Sequence, residues 1–114
     1  NILISSGPSR SKVELLNSTK MLIAKGYHIF ATAGTAKFFE ENGIRVTILH
    51  WPDEEKEPNI MDYLRNKKID MVINIPKNHT KRELDNGYKI RRAAVDYNIP
   101  LITNARLASA LCHL

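Results

Sequence analysis

With a single cysteine, Cys112, in 114 residues, the chain has no internal disulfide and lacks the clustered thiols of a structural zinc site. A reducing compartment is the expected setting. Leu107, Leu111 and Leu114 around it have helical spacing, and neighbouring residues on a helix point apart. Cys112-His113 therefore reads as packing or surface, not as a nucleophile beside its base. His28 falls in a strand-like run, His50 at the end of another and His113 near the terminus, so no pair has metal-ligand spacing and no metal is expected. Long hydrophobic runs are missing too, which excludes a membrane-spanning helix. The opening Asn1-Ile2-Leu3-Ile4-Ser5 reads as a core strand and lacks the parts of a signal peptide. The expected location is the cytoplasm, with the mitochondrial matrix as the alternative. Opening and closing inside elements, the chain is expected to be cut from a longer one.

Acidic residues are outnumbered, 12 against 17 basic, for a net charge of +5. Lys77, Lys81, Arg82, Lys89, Arg91 and Arg92 gather after one predicted strand. Aromatic residues do not interleave with them as stacking platforms would, so a single small anion or a solvated helix face is preferred to nucleic acid.

The chain has the size of one domain, residues 1–114, and its 43% hydrophobic and 25% charged residues are ordinary. No linker, repeat or low-complexity tract interrupts it. Five β-rich stretches, Ile2 to Ser5, Tyr27 to Ala31, Arg45 to Leu49, Ile69 to Ile75 and Leu101 to Thr103, alternate with segments of helical spacing. The strands are nearly continuous apolar runs, as in a parallel sheet covered by helices on both faces. The fold expected is a three-layer α/β/α sandwich.

Local residues set the boundaries. Leu15, Leu16, Thr19, Met21, Leu22 and Ile23 supply the inner side of a first helix, which Gly26 can end in the left-handed conformation; Gly43 does the same for the next. Asn59 is a candidate N-cap before Ile60, Met61, Tyr63 and Leu64, and Pro58 discourages an earlier start. Pro76 stops the fourth strand and Pro100 marks the entry to the fifth.

Loops leaving the carboxyl ends of such strands form the ligand crevice. The first, Ser6-Gly7-Pro8-Ser9-Arg10-Ser11-Lys12, is polar and basic and opens onto a helix whose unpaired N–H groups favour an anion. It lacks both the Gly-Lys-Ser ending of a nucleotide-triphosphate loop and the three-glycine dinucleotide pattern. The second, Ala31-Thr32-Ala33-Gly34-Thr35-Ala36, offers two hydroxyls and a glycine that permits close backbone approach, just before a helix. Uncharged donors of this kind suit a phosphate or carboxylate. A simple cap by Thr35 is the alternative, and it leaves Thr32 and Gly34 unexplained.

Tyr27-His28-Ile29-Phe30 with Ala31-Thr32-Ala33-Gly34-Thr35, then Val72-Ile73-Asn74, Ile90-Arg91-Arg92-Ala93-Ala94 and Ile99-Pro100-Leu101-Ile102-Thr103-Asn104 together resemble the methylglyoxal-synthase-like superfamily across the whole chain. The Ile-Arg-Arg segment and the Trp51-Pro52 loop are most similar to the C-terminal allosteric domain of carbamoyl-phosphate synthase large chains. The resemblance implies a five-stranded parallel sheet of order 3-2-1-4-5. It also implies an effector site: Lys12 matches a phosphate-contacting lysine, Thr32 and Thr35 the paired threonines of the anion cradle, and Asn74 an asparagine facing the ligand. Trp51 stands where nucleotide-binding bacterial members carry lysine and where the N-acetylglutamate-binding type carries tryptophan; Asn86 matches an asparagine of that second type. With Gly34 of the cradle loop, these are the candidate binding residues.

Catalysis is not expected. Methylglyoxal synthase needs an aspartate base beyond the third strand and a His/Asp pair before the fourth helix. This chain offers Glu83, Leu84, Asp85 and Asn86 in the latter region, and His79 lies several residues too early. Asp53, Glu54 and Glu55 form an acidic run of the usually solvated kind. The resemblance therefore implies a regulatory domain that senses a small anionic effector, N-acetylglutamate-like or UMP or IMP. It would have no cofactor of its own, with ATP and magnesium or manganese belonging to the parent enzyme's ATP-dependent synthesis of carbamoyl phosphate for arginine or pyrimidine formation. Other domains of the large chain and a glutaminase subunit are the implied partners, with neither nucleic acid nor membrane. A stand-alone lyase and a nucleic-acid-binding module are the alternatives.

Overall fold

Apolar runs buried on both faces need helices on both faces, and the chain supplies them in strict alternation. The computed structural model describes residues 1–6, 9–54, 56–75 and 81–103, with the side chains of 6, 9–14, 82 and 83 outside that description. The readings placed on Gly7, Pro8, Glu55, Pro76, Lys77, His79, Asn104, Cys112 and His113 lie outside the described residues. The order is β1 (Ile2–Ser6), α1 (Ser9–Ala24), β2 (Ile29–Ala31), α2 (Ala33–Glu41), β3 (Thr47–Ile48), α3 (Ile60–Arg65), β4 (Met71–Ile75), α4 (Lys81–Asp96) and β5 (Leu101–Ile102). The sheet runs β3-β2-β1-β4-β5 with every pair parallel, the order that the resemblance implied.

Alternate residues of each strand point to opposite faces. Ile2, Ile4, Ile29, Ala31, Ile73, Ile75 and Ile102 pack with Leu15 and Leu22 of α1 and Ala36 and Phe39 of α2. Leu3, Phe30 and Val72 pack on the other face with Ile60 and Leu64 of α3 and Ile90, Ala93 and Ala94 of α4. These are the three layers read from the sequence.

Strands are shorter than their apolar runs. The ladders begin at Ile2 paired with Ile29 and with Met71, so Tyr27, His28, Ile69 and Asp70 fall before the paired residues, although His28 O still accepts from Ile2 N at 2.9 Å and Asp70 N donates to Asn1 O at 2.7 Å. His28 instead stacks on Phe30, with ring centroids 4.5 Å apart, and its Nε2 lies 2.8 Å from Thr47 Oγ1. β3 is a two-residue edge strand whose Ile48 is exposed.

Gly26 and Gly43 hold φ of +93° and +79° after α1 and α2, where a side chain would be strained. The ends of α3 and α4 fall to Lys67 and Asn98, at φ +53° and +57°. Asparagine is the residue other than glycine that visits this region most readily, whereas the lysine carried no sequence signal.

Asn59 does more than its predicted cap. Its Oδ1 accepts from Met61 N at 2.9 Å, while its Nδ2 donates to Trp51 O at 3.0 Å and Glu54 O at 2.8 Å. One side chain thus starts α3 and straps the loop after β3. Asn59→Ala should cost about 2 kcal/mol, and Asn59→Ser, which keeps a cap acceptor without the two strap donors, about half of that. Urea unfolding midpoints of both variants check the split.

Candidate functional site

The chain winds outward from β1 through β2 to β3, then crosses under the sheet through α3 to β4 on the other side of β1. The direction of winding reverses between β1 and β4. Connections there diverge to opposite faces, and such a reversal is where parallel sheets place a crevice, outside the carboxyl ends of the strands. Ser5 pairs with Asn74, and Ile4 pairs with Ala31. Thr32 and Asn74 therefore flank Ser5, separated by two strand spacings, about 10 Å.

Thr32 follows β2 in extended conformation as the N-cap residue of α2, yet its side chain makes no capping bond. Its hydroxyl donates to Thr35 Oγ1 at 3.3 Å, and both side chains are buried. Thr35 is the third residue of the helix, so it is not the cap. The two hydroxyls meet beside the first turn of α2, where backbone N–H groups have no helical acceptor. A Cβ at Gly34 in that turn would meet nothing within 4 Å. No packing among the described residues requires glycine there.

Asn86 is 2% exposed although it lies on a helix. Its Oδ1 accepts from Asp53 N at 3.1 Å, which ties α4 to the loop after β3. Trp51 in that loop packs partly buried against the cluster containing Phe30 and Leu49, and its carbonyl is held by Asn59. The acidic run read as solvated is only partly so: Glu54 Oε2 lies 3.2 Å from His50 Nδ1, each side chain being 29% exposed.

Asn74 is buried at the end of β4, and its Oδ1 accepts from Arg91 Nη1 at 2.7 Å. Adjacent positions on a helix cannot share a face, so one of Arg91 and Arg92 turns inward. It is Arg91; Arg92 is exposed and lies 3.3 Å from Asp96. The buried positions Ile90, Ala93 and Ala94 put residue 91 at the rim of the inner face and 92 on the solvent side, a distinction that helical spacing already contains. Lys12 is the fourth residue of α1, its side chain outside the described residues. An open depression of about 650 Å³ runs along α3, lined by Glu57, Asp62, Tyr63 and Lys68 among others, and no predicted site residue borders it. Among the described residues, no group of three or more His, Cys, Asp or Glu could hold a metal, and no helix is long and apolar enough to cross a membrane.

A parallel sheet whose winding reverses between β1 and β4, with buried hydroxyls and amides at or beside its carboxyl edge, defines a doubly wound α/β domain. Residues 14–103 match the family model described as the MGS-like domain, and the chain belongs to that family. It is 42% identical over 120 residues to the multifunctional protein URA2 of Saccharomyces cerevisiae, with 97% of the chain and 5% of that protein aligned. It is 39% identical to the multifunctional protein CAD of Squalus acanthias, covering 93% of the chain and 5% of CAD. With the carbamoyl phosphate synthase large chain of Thermoplasma acidophilum it shares 38% identity over 99 residues, 87% of the chain and 9% of that protein. The chain thus spans a small fraction of the relatives that it matches. Methylglyoxal synthase from Elizabethkingia anophelis shares the fold, with a TM-score of 0.68 at 17% identity, covering 99% of this chain and 77% of that one.

If Gly34 is free of packing duties, Gly34→Ala should melt no lower than the parent and gain up to about 1 kcal/mol from helix propensity. Thr35→Val, which removes the hydroxyl that accepts from Thr32, should lose about 1 kcal/mol. Thermal denaturation of the two variants side by side measures the contrast.

Proposed function

We propose that this chain is the effector-sensing domain of a carbamoyl-phosphate synthase and that the crevice over Thr32, Thr35, Asn74 and Asn86 takes a small anion. One observation carries the reading: these four side chains, each 2–3% exposed, are four of the six buried polar ones among the described residues, and the other two, Ser18 and Thr19, belong to α1. Burying hydroxyls and amides disfavours folding unless they are satisfied; here Thr32 bonds Thr35, Arg91 bonds Asn74 and Asp53 N bonds Asn86, so a ligand at the carboxyl edge would add to or exchange hydrogen bonds that the fold already holds in place. The likeness to a carbamoyl phosphate synthase large chain and to CAD and URA2 supplies the setting.

The domain senses and does not catalyse. Asp85 on α4 is exposed, and no histidine stands beside it within the described helix; an acid and base poised over a substrate are not among the described crevice residues. The likeness to methylglyoxal synthase, at 17% identity, is one of fold. ATP and its metal serve the parent's ligase domains, and the crevice contributes by holding its effector more tightly in one conformation of the whole enzyme. Such coupling is typically about 1–3 kcal/mol. Trp51 can lay an indole face on an acyl or aliphatic chain, which favours N-acetylglutamate or a similar acylated amino acid over UMP or IMP.

A calorimetric screen of N-acetylglutamate, UMP, IMP and inorganic phosphate tests this, with Trp51 emission as a second readout. One of these should bind saturably. Thr32→Ala and Thr35→Ala should each weaken it by about 1.5–3 kcal/mol while the fold persists. Incubation with dihydroxyacetone phosphate should yield no methylglyoxal; turnover proportional to protein concentration would replace the sensing role with a lyase.

A further inference from the structure

Gly87 lies in the interior of the 16-residue helix α4, where glycine costs roughly 0.5–1 kcal/mol against alanine. Its φ is not one that demands glycine. What a side chain would meet there is specific: a Cβ would come within 3.0 Å of Arg91 Nη1, and the next nearest atoms belong to the same guanidinium. That nitrogen is the one that donates to Asn74 Oδ1 at 2.7 Å. Arg91 therefore lies back over the bare backbone of Gly87, one helical turn earlier, and from there reaches the end of β4.

This contact assigns the polarity of the asparagine. An amide has an acceptor end and a donor end of nearly equal size, and a flip exchanges them. Arginine has donors alone, so the atom facing Arg91 is the oxygen, and the Nδ2 hydrogens occupy the other end. Asn74 stands at the reversal point beside Ser5, its side chain 3% exposed. A donor oriented by a cation behind it, in partly dehydrated surroundings, suits an anionic oxygen and disfavours another donor.

We propose that Gly87 and Arg91 act as one device that fixes Asn74 as a hydrogen-bond donor toward the crevice, which thereby selects anionic oxygens. Arg91 is a positioning residue, and Gly87 is the gap that lets it lie there. The proposal rests on the effector reading above for the ligand, though not for the geometry.

The 114-residue chain, labelled with ¹⁵N, provides both arms of a test. The Asn74 side-chain amide pair is assigned by its loss in Asn74→Asp. It should shift in Arg91→Met and in Gly87→Ala, and stay near its parent position in Arg91→Lys, which keeps a donor. In the second arm, N-acetylglutamate, UMP and inorganic phosphate are titrated calorimetrically into each variant. Whichever binds the parent should lose about tenfold in affinity with Arg91→Met and a few-fold with Gly87→Ala, with partial recovery in Arg91→Lys. The melting temperature of Gly87→Ala should be equal to the parent's or higher. A merely structural role would lower melting and affinity together, so weaker binding in a chain that is no less stable is the distinguishing result. Unchanged Asn74 resonances in Arg91→Met overturn the proposal, as does unchanged affinity in both variants. If the parent binds none of the three and IMP does not bind either, the effector reading falls, and the amide shifts alone decide whether the clamp exists.

Discussion

The pairing of β1 with β4 is the constraint on which the other features depend. It is the longest ladder in the sheet, running from Ile2 opposite Met71 to Ser6 opposite Ile75. It also joins segments that lie far apart in sequence, so it forms only after α1, β2, α2, β3 and α3 have been placed or bypassed. Loop-closure entropy opposes such a contact. The apolar burial on both faces of the two strands offsets it, since Ile2, Leu3, Ile4, Val72 and Ile73 are all essentially inaccessible to water. Once that seam closes, the reversal of winding is fixed, and with it the place where the loops part.

The register of this seam also accounts for the distribution of buried polarity. Parity along β4 sends Ile73 and Ile75 toward α1 and α2, and Val72 toward α3 and α4. Asn74 shares the parity of Val72 and emerges on the α4 side, at the height where the sheet stops. A slip of one residue would send the amide into the packed layer beneath α1 and α2. The same parity carries Thr32 past Phe30, although α2 itself departs on the opposite face. Six polar side chains are buried among the described residues, and two of them, Ser18 and Thr19, belong to α1; the other four lie at or beside the carboxyl edge.

Much of this was legible in the residues. Continuous apolar runs announced a parallel sheet between helices, and Gly26, Gly43 and Asn59 marked their own boundaries because each satisfies a local requirement that few residues meet. Strand lengths were not legible, because a run such as Tyr27 to Ala31 records burial, whereas a ladder also needs a partner at each position, and β1 begins only at Ile2. The resemblance, not the spacing, supplied the strand order, and it alone supplies the binding roles expected of Lys12, Asn74 and Asn86. The bond from Asp53 N to Asn86 lay beyond any local signal, since it joins residues 33 apart.

The Arg91-Arg92 pair shows where local and long-range information divide. Two adjacent arginines with the same propensity and charge receive opposite surroundings from a rotation of one position around α4. Arg92 finds Asp96 one turn along the same helix, a pairing that an isolated helix could make and that contributes little in water. Arg91 turns toward the end of β4 instead, and its partner is an uncharged amide 17 residues away. Among the described residues, the bond that this guanidinium makes at the end of β4 is to an amide and not to a carboxylate. Glycine one turn earlier gives up helix stability without any gain in backbone conformation. Both choices run against what would stabilise α4 alone, and local rules are most often broken where the structure serves a binding site. The helix thus covers the sheet with Ile90, Ala93 and Ala94, while Asn86, Gly87 and Arg91 give it a second use in the crevice proposed above.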